Sequence, residues 1–401
     1  MSKRIYFDHS ATTPLDPRVL EAMEPFFGGA FGNPSSLHQE GIDARRAVET
    51  ARAQVAALVG AEPEEIIFTA SGTEADNLAL IGTVLATGRP GHVVTSSIEH
   101  AAIQETCRLL AASGTKITHL PVDPYGFVGA TSLLRALQSN VTIVSIMAAN
   151  NVVGTIQPIE ELAHLTKLHG VVFHTDAVQA GGKIPLDVNR LSVDLLSLSA
   201  HKLHGPKGVG ALYVRRSAKL SPIIVGGGQE RGLRSATENV AGIVGFGAAA
   251  MIASQKLADE AKRLKWLRVF IIEELTNRFP DSYLFGHPTK RLPGHVSFGF
   301  RGREREVGGL LAALDRAGVA VSAGSACSAH HSGEPSAVLL AMGYNDEQAR
   351  GLIRLSLGRF NTQEEVDRFL QILCEVVAVN RSKEQMQPAS ALNSTPGVTV
   401  A

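Results

Sequence analysis

The stretch VDLLSLSAHKLHGPKGVGALYV at residues 193–214 consists of two apolar segments of strand length joined by a loop that contains Lys202. Similar apolar runs precede it and alternate with segments of helical periodicity at 74–87, 100–113 and 158–169. These runs are EEIIFT at 64–69, HVVTS at 92–96, TKITHL at 115–120, VTIVSIM at 141–147 and VVFHTD at 171–176. The alternation predicts an α/β fold with a mostly parallel seven-stranded sheet covered on both faces. Ligands of such sheets bind beyond the carboxyl ends of the strands.

The rest of the chain predicts a second, smaller domain. A long helical region at about 237–279 leads into an α+β stretch. Its predicted strands are GHVSFGF at 294–300, VAVSA at 319–323 and LIRLSL at 352–357, and its predicted helices lie at 304–316 and 362–378. We therefore expect a large domain at 15–256 and a small α+β domain formed by 1–14 and 257–380. Residues 381–401 are polar and rich in turn-forming residues, which predicts a disordered tail.

Composition excludes several classes of protein. Basic and acidic residues number 38 each, so the formal net charge is zero and favours neither a nucleic acid nor an anionic membrane as a partner. No apolar run reaches the roughly 18–20 residues that span a bilayer, and we find no secretory signal. The three cysteines, Cys107, Cys327 and Cys374, are too few for a disulfide framework. We therefore expect a reducing, cytoplasmic location.

Two charged residues follow predicted strands. Lys202 lies just beyond the apolar segment VDLLSL, where a desolvated amine can act as a nucleophile towards aldehydes, although a surface loop lysine is the simpler interpretation. Asp176 is the last residue of VVFHTD and could pair with the protonated pyridine nitrogen of pyridoxal 5′-phosphate (PLP) or cap a helix. His174 and Asp176 could also ligate a metal ion, but no third ligand has suitable spacing.

Other candidate residues lie at strand-to-helix junctions. In FTASGTEADNLAL at 68–80, a capping box opens a helix whose first N–H groups, at Gly72 and Thr73, would suit a phosphate. The sequence contains no P-loop, and GGGQERG at 226–232 lacks the third glycine of a dinucleotide fingerprint because Arg231 occupies that position. His100 starts another helix. Arg354 lies within a strand, where its guanidinium requires a partner such as a carboxylate.

Cys327 lies in the small-residue segment SAGSACSAHHSG at 322–333. It could be a nucleophile, a buried filler, half of a disulfide or, with His330 and His331, a zinc ligand. Zinc is disfavoured because adjacent histidines do not easily turn both rings to one ion and a fourth ligand is missing. Cys107, on a helix face with Ile103 and Leu110, and Cys374 are expected to be structural.

The order and spacing of several motifs are specific. From about residue 5 to 378 the chain resembles the cysteine desulfurases of the NifS/IscS type, which are PLP enzymes of fold type I in the class V aminotransferase family. The matching segments are YFDHSATTP, FGNPSS, SGTEADN, EHAAI, NNVVG, HTDAVQ, SAHKLHGPKG, RSAT, SAGSACS and RLSLGRF. Relatives often have glutamate where this chain has Val152 and glycine where it has Ala200, and "RSAT" replaces "RSGT", which leaves substrate preference open.

The resemblance implies a role for each candidate residue. Lys202 would bind PLP covalently and Asp176 would keep its pyridine nitrogen protonated, while Gln179 and Asn151 orient the ring and His100 stacks on it and moves protons. The phosphate would be bound by Gly72, Thr73, Ser199 and His201, with Thr237 supplied by the second subunit of a homodimer. Arg354, with Asn151, would bind the substrate.

The implied reaction converts L-cysteine to L-alanine and places the sulfur on Cys327 as a persulfide. An acceptor protein, such as an iron–sulfur scaffold, would then take the sulfur. A selenocysteine lyase or cysteine lyase on the same scaffold is the enzymatic alternative. A non-catalytic assembly protein on a decayed PLP fold is a third hypothesis, and the joint retention of Lys202, Asp176, His100 and Cys327 argues against it.

Overall fold

The computed structural model describes residues 4–323 and 334–385, with side chains up to residue 378. Cys327, His330 and His331 lie outside the described residues. The strands are β1 (Ile5–Tyr6), β2 (Ile66–Thr69), β3 (His92–Ser96), β4 (Lys116–Leu120), β5 (Ile143–Ser145), β6 (Val172–Asp176), β7 (Leu195–Ser199), β8 (Gly210–Val214), β9 (Ser282–Leu284), β10 (His295–Phe300), β11 (Val319–Ala320) and β12 (Ile353–Ser356). The α-helices are α1 (Pro17–Met23), α2 (Gln39–Val59), α3 (Gly72–Ala86), α4 (Ala101–Ala112), α5 (Ala130–Leu137), α6 (Ile159–Leu168), α7 (Val188–Leu191), α8 (Val240–Arg278), α9 (Val307–Arg316), α10 (Ala337–Ala341), α11 (Asp346–Arg350) and α12 (Gln363–Gln385).

A seven-stranded sheet forms the centre of the larger part of the molecule. Its strand order is β2-β8-β7-β6-β5-β3-β4, and only β8 runs antiparallel to its neighbours. Each predicted strand between residues 64 and 215 is present. The predicted α/β class with a mostly parallel seven-stranded sheet is therefore confirmed.

Helices cover both faces of this sheet because successive strand residues point in opposite directions. Ile66 and Phe68 pack with α1, α2 and the first half of α8 on one face. Ile67, between them, packs with α3 and α4 on the other face. Burial on both faces explains why these strands are continuously apolar rather than alternating.

A separate hydrophobic core forms the smaller part. The antiparallel strands β12, β10 and β9 pack there with α9, α12 and the second half of α8. The N-terminal strand β1 pairs with β11, Ile5 opposite Val319, so the chain start folds onto this part. The two cores support the division at residues 256 and 257, which stays a prediction because the continuous helix α8 crosses it. The helix α12 runs to Gln385, so residues 381–385 of the predicted tail are helical instead, and 386–401 lie outside the described residues.

Among the described residues, one helix is long and apolar enough to cross a membrane by length and composition alone. It is α8, and 61% of its most apolar window is buried inside the protein. The helix bridges the two cores: Ile243 and Phe246 pack in the first, and Leu267 and Ile271 pack in the second. Its apolar surface is thus covered by protein, as in the core helix of a globular domain.

A buried ion pair connects α2 to the loop that follows β8. Arg52 donates to both carboxylate oxygens of Glu230 at 2.7 and 2.8 Å and to the carbonyl oxygen of Ile66 at 2.8 Å. Glu230 also accepts the N–H of Phe68 at 2.8 Å, although its own backbone has a positive φ of 46°. The pair is almost fully enclosed, so each charge depends on the other for solvation.

We expect Glu230→Ala to lower the free energy of unfolding by about 3–5 kcal/mol, because it removes the buried carboxylate of Arg52 and leaves only the exposed Glu49 to pair with the guanidinium. The measurement is urea denaturation followed by circular dichroism. Glu160→Ala, which removes the exposed pair with Arg190, is the control and should cost no more than about 1 kcal/mol. Equal effects of the two substitutions would contradict this account of the buried pair.

Candidate active site

The predicted site residues gather at one edge of the large sheet. Asp176 and Ser199 are the last residues of the parallel strands β6 and β7. His100 is the N-cap of α4 and follows β3, while Gly72 is the first residue of α3 and follows β2. Because parallel strands end at the same edge, residues far apart in the sequence share one site.

The side chain of Lys202 points to the N-terminal segment of the chain. Its Nζ atom donates hydrogen bonds to the carbonyl oxygens of Ser10 at 2.5 Å and Ala11 at 2.8 Å. The same segment continues along the turn after β7, where the N–H and hydroxyl of Thr13 both donate to the carbonyl oxygen of His201. Residues 10–13 therefore form one wall of the site, a role that the sequence analysis did not identify.

Asp176 is a buried carboxyl group, with only 6% of its surface exposed. Burial raises its pKa, whereas the positive charges of His100 and Lys202 and the N–H of Val178 lower it. The Val178 N–H lies 2.9 Å from Oδ1. The carboxyl, the amine and the imidazole thus act on one another electrostatically, which a surface lysine and a simple helix cap would not do.

The start of α3 lies against the end of β7. A Cβ atom on Gly72 would lie 2.6 Å from a methyl carbon of Val178 and 3.3 Å from the Cβ of Ser199, so only glycine fits. The hydroxyl of Ser71 accepts the N–H of Glu74 at 3.0 Å. The first N–H groups of a helix have no partner within the helix, and here they lie beside the serine that was predicted to bind the same anion.

His201 extends this anion-binding end of the site. Its Nδ1 atom lies 3.0 Å from the hydroxyl of Thr12. Burial and, secondarily, the positive charge of Lys202 lower the pKa of His201 to about 4, so the ring is neutral at pH 7. A neutral imidazole with one nitrogen on Thr12 can use the other nitrogen as a hydrogen-bond donor.

Arg354 connects the small core to this edge. It is only 1% exposed, and its Nη2 atom donates to Asp8 Oδ1 at 2.8 Å and to the Ser322 hydroxyl at 3.1 Å. Its Nη1 atom donates to the carbonyl oxygen of Asn151 at 2.9 Å. The partner that an arginine in a strand requires is therefore Asp8, and Asn151 and Arg354 are brought together. A role of Arg354 in binding the substrate carboxylate stays a prediction.

The remaining predicted residues have different surroundings. Gln179 is buried and its amide donates to the Ser10 carbonyl oxygen at 2.9 Å. Thr73 and Thr237 are exposed. Ala200 is fully buried, so the site accommodates its methyl group.

Among the residues that the structure describes, no group of three or more potential ligands is arranged to hold a metal ion.

These residues fit PLP. Asp176 is a buried acid suited to a pyridine nitrogen, Lys202 supplies the amine, and the glycine at the start of α3 offers backbone N–H groups beside Ser199 for a phosphate. The acid, the amine and the start of α3 lie at distinct positions, and PLP likewise has three distinct functional parts: the pyridine nitrogen, the aldehyde and the phosphate.

Glu99 is a buried residue whose role the sequence did not reveal. Its carboxyl accepts the Ser96 hydroxyl at 2.5 Å and the Met147 N–H at 3.1 Å, which fixes the turn between β3 and α4. Burial raises its pKa to about 8. It precedes His100 directly in the motif EHAAI, but only the fold shows that it is enclosed.

Comparisons with known proteins identify the family of the chain. The family model for class-V aminotransferases matches residues 5–369. A relative described as cysteine desulfurase IscS, from Dictyoglomus turgidum, is 47% identical over 378 residues, which cover 94% of this chain and 95% of that relative. The resemblance inferred from the motifs is therefore confirmed.

Solved structures give the same result. One described as a NifS-like protein superposes with a TM-score of 0.87 at 40% identity and covers 94% of this chain and 100% of its own. Another, described as SspA in complex with cysteine, has a TM-score of 0.79 at 36% identity and covers 89% of this chain and 100% of its own.

We expect Glu99→Gln to flatten the pH dependence of stability. Glu99 keeps its proton up to a pH of about 8 in the folded protein but loses it near the ordinary value of 4.5 when unfolded, so unfolding releases a proton between these values. The free energy of unfolding of the unsubstituted protein should therefore fall as the pH rises through this window, by about 1.4 kcal/mol for each pKa unit. Melting temperatures at pH 5 and pH 8 measure the effect.

The control for this substitution is Glu105→Gln on the exposed side of α4, which should leave the pH dependence unchanged. The assignment to Glu99 is wrong if the two variants lose the same stability between pH 5 and pH 8.

Proposed function

The chain belongs to the class-V aminotransferase family, and from this premise we propose that it is a PLP-dependent cysteine desulfurase. It converts L-cysteine to L-alanine and passes on the sulfur. Relatives of nearly full length described as cysteine desulfurases support this activity, and they do not favour a selenocysteine lyase or cysteine lyase. The observation that carries the proposal is the convergence of Lys202, Asp176 and His100 at one sheet edge, where their charges interact.

Each residue of the site has a distinct task in this proposal. Lys202 would hold PLP covalently, and Asp176 would keep a proton on the pyridine nitrogen. Gln179 and Asn151 would orient the ring, while Gly72, Thr73, Ser199 and His201 would bind the phosphate. Bound PLP supplies an electron sink that activates the substrate at its α and β carbons.

Two side chains are suited to moving protons. The Nζ atom of Lys202, once displaced by the substrate amine, would take the proton from the α carbon of L-cysteine. His100 accepts the Ala102 N–H at Nδ1 over 3.1 Å, so Nε2 is the ring nitrogen that remains for proton exchange. We infer that Nε2 is the atom through which His100 exchanges protons with the substrate.

Cys327 is the proposed sulfur carrier. Its thiolate attacks the substrate sulfur, the new S–S bond forms as the substrate C–S bond breaks, and the electron pair goes to the carbon skeleton, which is protonated to alanine. The chain enters this segment at Ser322, whose hydroxyl is held by Arg354.

A homodimer would complete the site. Thr237, which the family resemblance assigns to the phosphate, is exposed on its own subunit. Several large apolar side chains are also exposed, as expected for a surface that a second copy covers. They include Phe27 at 69%, Phe31 at 77%, Leu37 at 86% and Val225 at 78%.

We place the reaction in the cytoplasm, with an acceptor protein such as an iron–sulfur scaffold receiving the sulfur. The balanced charge supports neither a nucleic acid nor a membrane as a partner.

We expect Cys327→Ala to lose alanine production from L-cysteine by on the order of 10³-fold or more, because no other thiolate replaces the nucleophile. The variant should still bind PLP and change its visible absorbance when L-cysteine is added. Alanine is measured by chromatography, and the unsubstituted protein should gain the mass of one sulfur atom on Cys327.

Cys374→Ser is the matched control and should keep full turnover. Undiminished turnover by Cys327→Ala would exclude the persulfide mechanism and would favour a lyase. A protein that shows no visible absorbance band after PLP is added would favour the non-catalytic hypothesis.

We expect the protein to elute with twice the mass of one chain in light-scattering chromatography. Hybrid dimers that carry both Thr237→Ala and Lys202→Ala test whether Thr237 of one subunit contributes to the site that contains Lys202 of the other subunit. If Thr237 serves the partner's site, a hybrid with both substitutions on one chain pairs the intact Lys202 with the altered Thr237 and loses PLP affinity. The hybrid with one substitution on each chain keeps one intact site, and equal PLP affinity in the two hybrids would contradict the shared site.

A further inference from the structure

Lys183 is a half-buried lysine beside the site that the proposed reaction does not use. It ends the segment HTDAVQAGGK, and its Nζ atom donates to the side-chain oxygen of Gln179 at 3.2 Å. Burial, followed by the positive charges of Lys202 and Arg354, lowers its pKa to about 7. Holding a lysine among cations, without a compensating carboxylate, costs free energy, so the position of Lys183 requires a physical explanation.

The other charged and titratable groups near Lys183 do not offset its charge. It lines a small cavity together with Lys202, His9, His204, His295, Glu260 and Arg359. Burial lowers the pKa of His9 to about 3 and that of His204 to about 4, and it lowers the pKa of His295 as well, so these rings are neutral at pH 7. The carboxylate of Glu260 is engaged by Arg359 at 2.6 Å.

The bond to Lys183 determines which way the Gln179 amide faces. Because Lys183 donates this bond, the amide oxygen of Gln179 is turned towards the Nζ atom of Lys183. The amide NH2 group then points the other way and donates to the carbonyl oxygen of Ser10 at 2.9 Å. That carbonyl oxygen also accepts from Lys202, so one chain of hydrogen bonds runs from Lys183 through Gln179 and Ser10 to Lys202.

We propose that Lys183 is a positioning residue that locks the Gln179 amide so that its NH2 group, and not its oxygen, faces the cofactor. This inference rests on the proposed function, because it requires PLP to lie beside Gln179. The PLP ring carries a phenolic oxygen that is anionic when the cofactor is joined to a lysine. An NH2 group stabilises that anion, whereas an amide oxygen in its place repels it.

The orientation has a consequence that spectroscopy measures. Loss of a proton from the lysine–cofactor nitrogen leaves more negative charge on the ring oxygen, so a donor to that oxygen favours the deprotonated form. Without the Lys183 donor, only the Ser10 carbonyl oxygen orients the amide, so the NH2 group is positioned less firmly and the pH midpoint of the visible absorbance band rises. We expect a rise of about one pH unit, the size of one lost hydrogen bond to a charged group.

The test uses the full-length protein loaded with PLP. Lys183→Met removes the donor and keeps a side chain of similar length, and it should raise the midpoint and weaken PLP binding. Lys183→Arg keeps a donor and should retain the midpoint of the unsubstituted protein. Lys207→Met is the matched control, since it removes an exposed cation from the loop that follows Lys202 and leaves the Gln179 contact intact.

A double-substitution cycle separates positioning from a direct charge effect. Gln179→Leu alone should raise the midpoint, and Lys183→Met should add nothing further in its presence. Additive shifts would overturn the inference, because they would show Lys183 acting through its charge alone. An unchanged midpoint in Lys183→Met, or a shift of equal size in Lys207→Met, would also overturn it. If the unsubstituted protein forms no visible band at all, the proposed function itself fails.

Discussion

The site is organised by the hydrogen bonds between Lys202 and the backbone of the N-terminal segment. The carbonyl oxygens of Ser10 and Ala11 hold the ammonium group, and the same segment bonds to His201 through Thr13. The segment begins at β1, which is paired with β11 in the small core. The backbone of this segment therefore connects the small core to Lys202 in the large core.

Burial supplies the second organising constraint. Asp176 and Glu99 are buried carboxyl groups whose pKa values are raised, and His201 and Lys183 are half-buried bases whose pKa values are lowered. The same low-dielectric surroundings that make these groups costly strengthen every interaction among them. A charged cofactor entering such a site is held by oriented groups that need little rearrangement.

The sequence predicted most of the fold and most of the candidate site. The seven strands were identified because burial on both faces keeps them continuously apolar, and Lys202 and Asp176 were identified because each follows such a strand. The burial of Glu99 and Lys183 was not predicted, because a sequence does not distinguish a solvated acidic or basic residue from a buried one. The tail prediction was wrong for 381–385 because their polar composition did not reveal that α12 continues through them.

The sequence by itself determined the α/β class, because apolar periodicity is a local property of the chain. Its motifs also established the resemblance that implies PLP as the cofactor and predicts Cys327 as the nucleophile. Only the tertiary structure decided which groups meet. Pairing of parallel strands brought Asp176, Ser199 and His100 to one edge of the sheet. The N-terminal segment at 4–16 folds back, so that its carbonyl oxygens accept hydrogen bonds from Lys202. Arg354 pairs with Asp8 instead of facing solvent. Such contacts depend on distances across the fold, which local patterns do not encode.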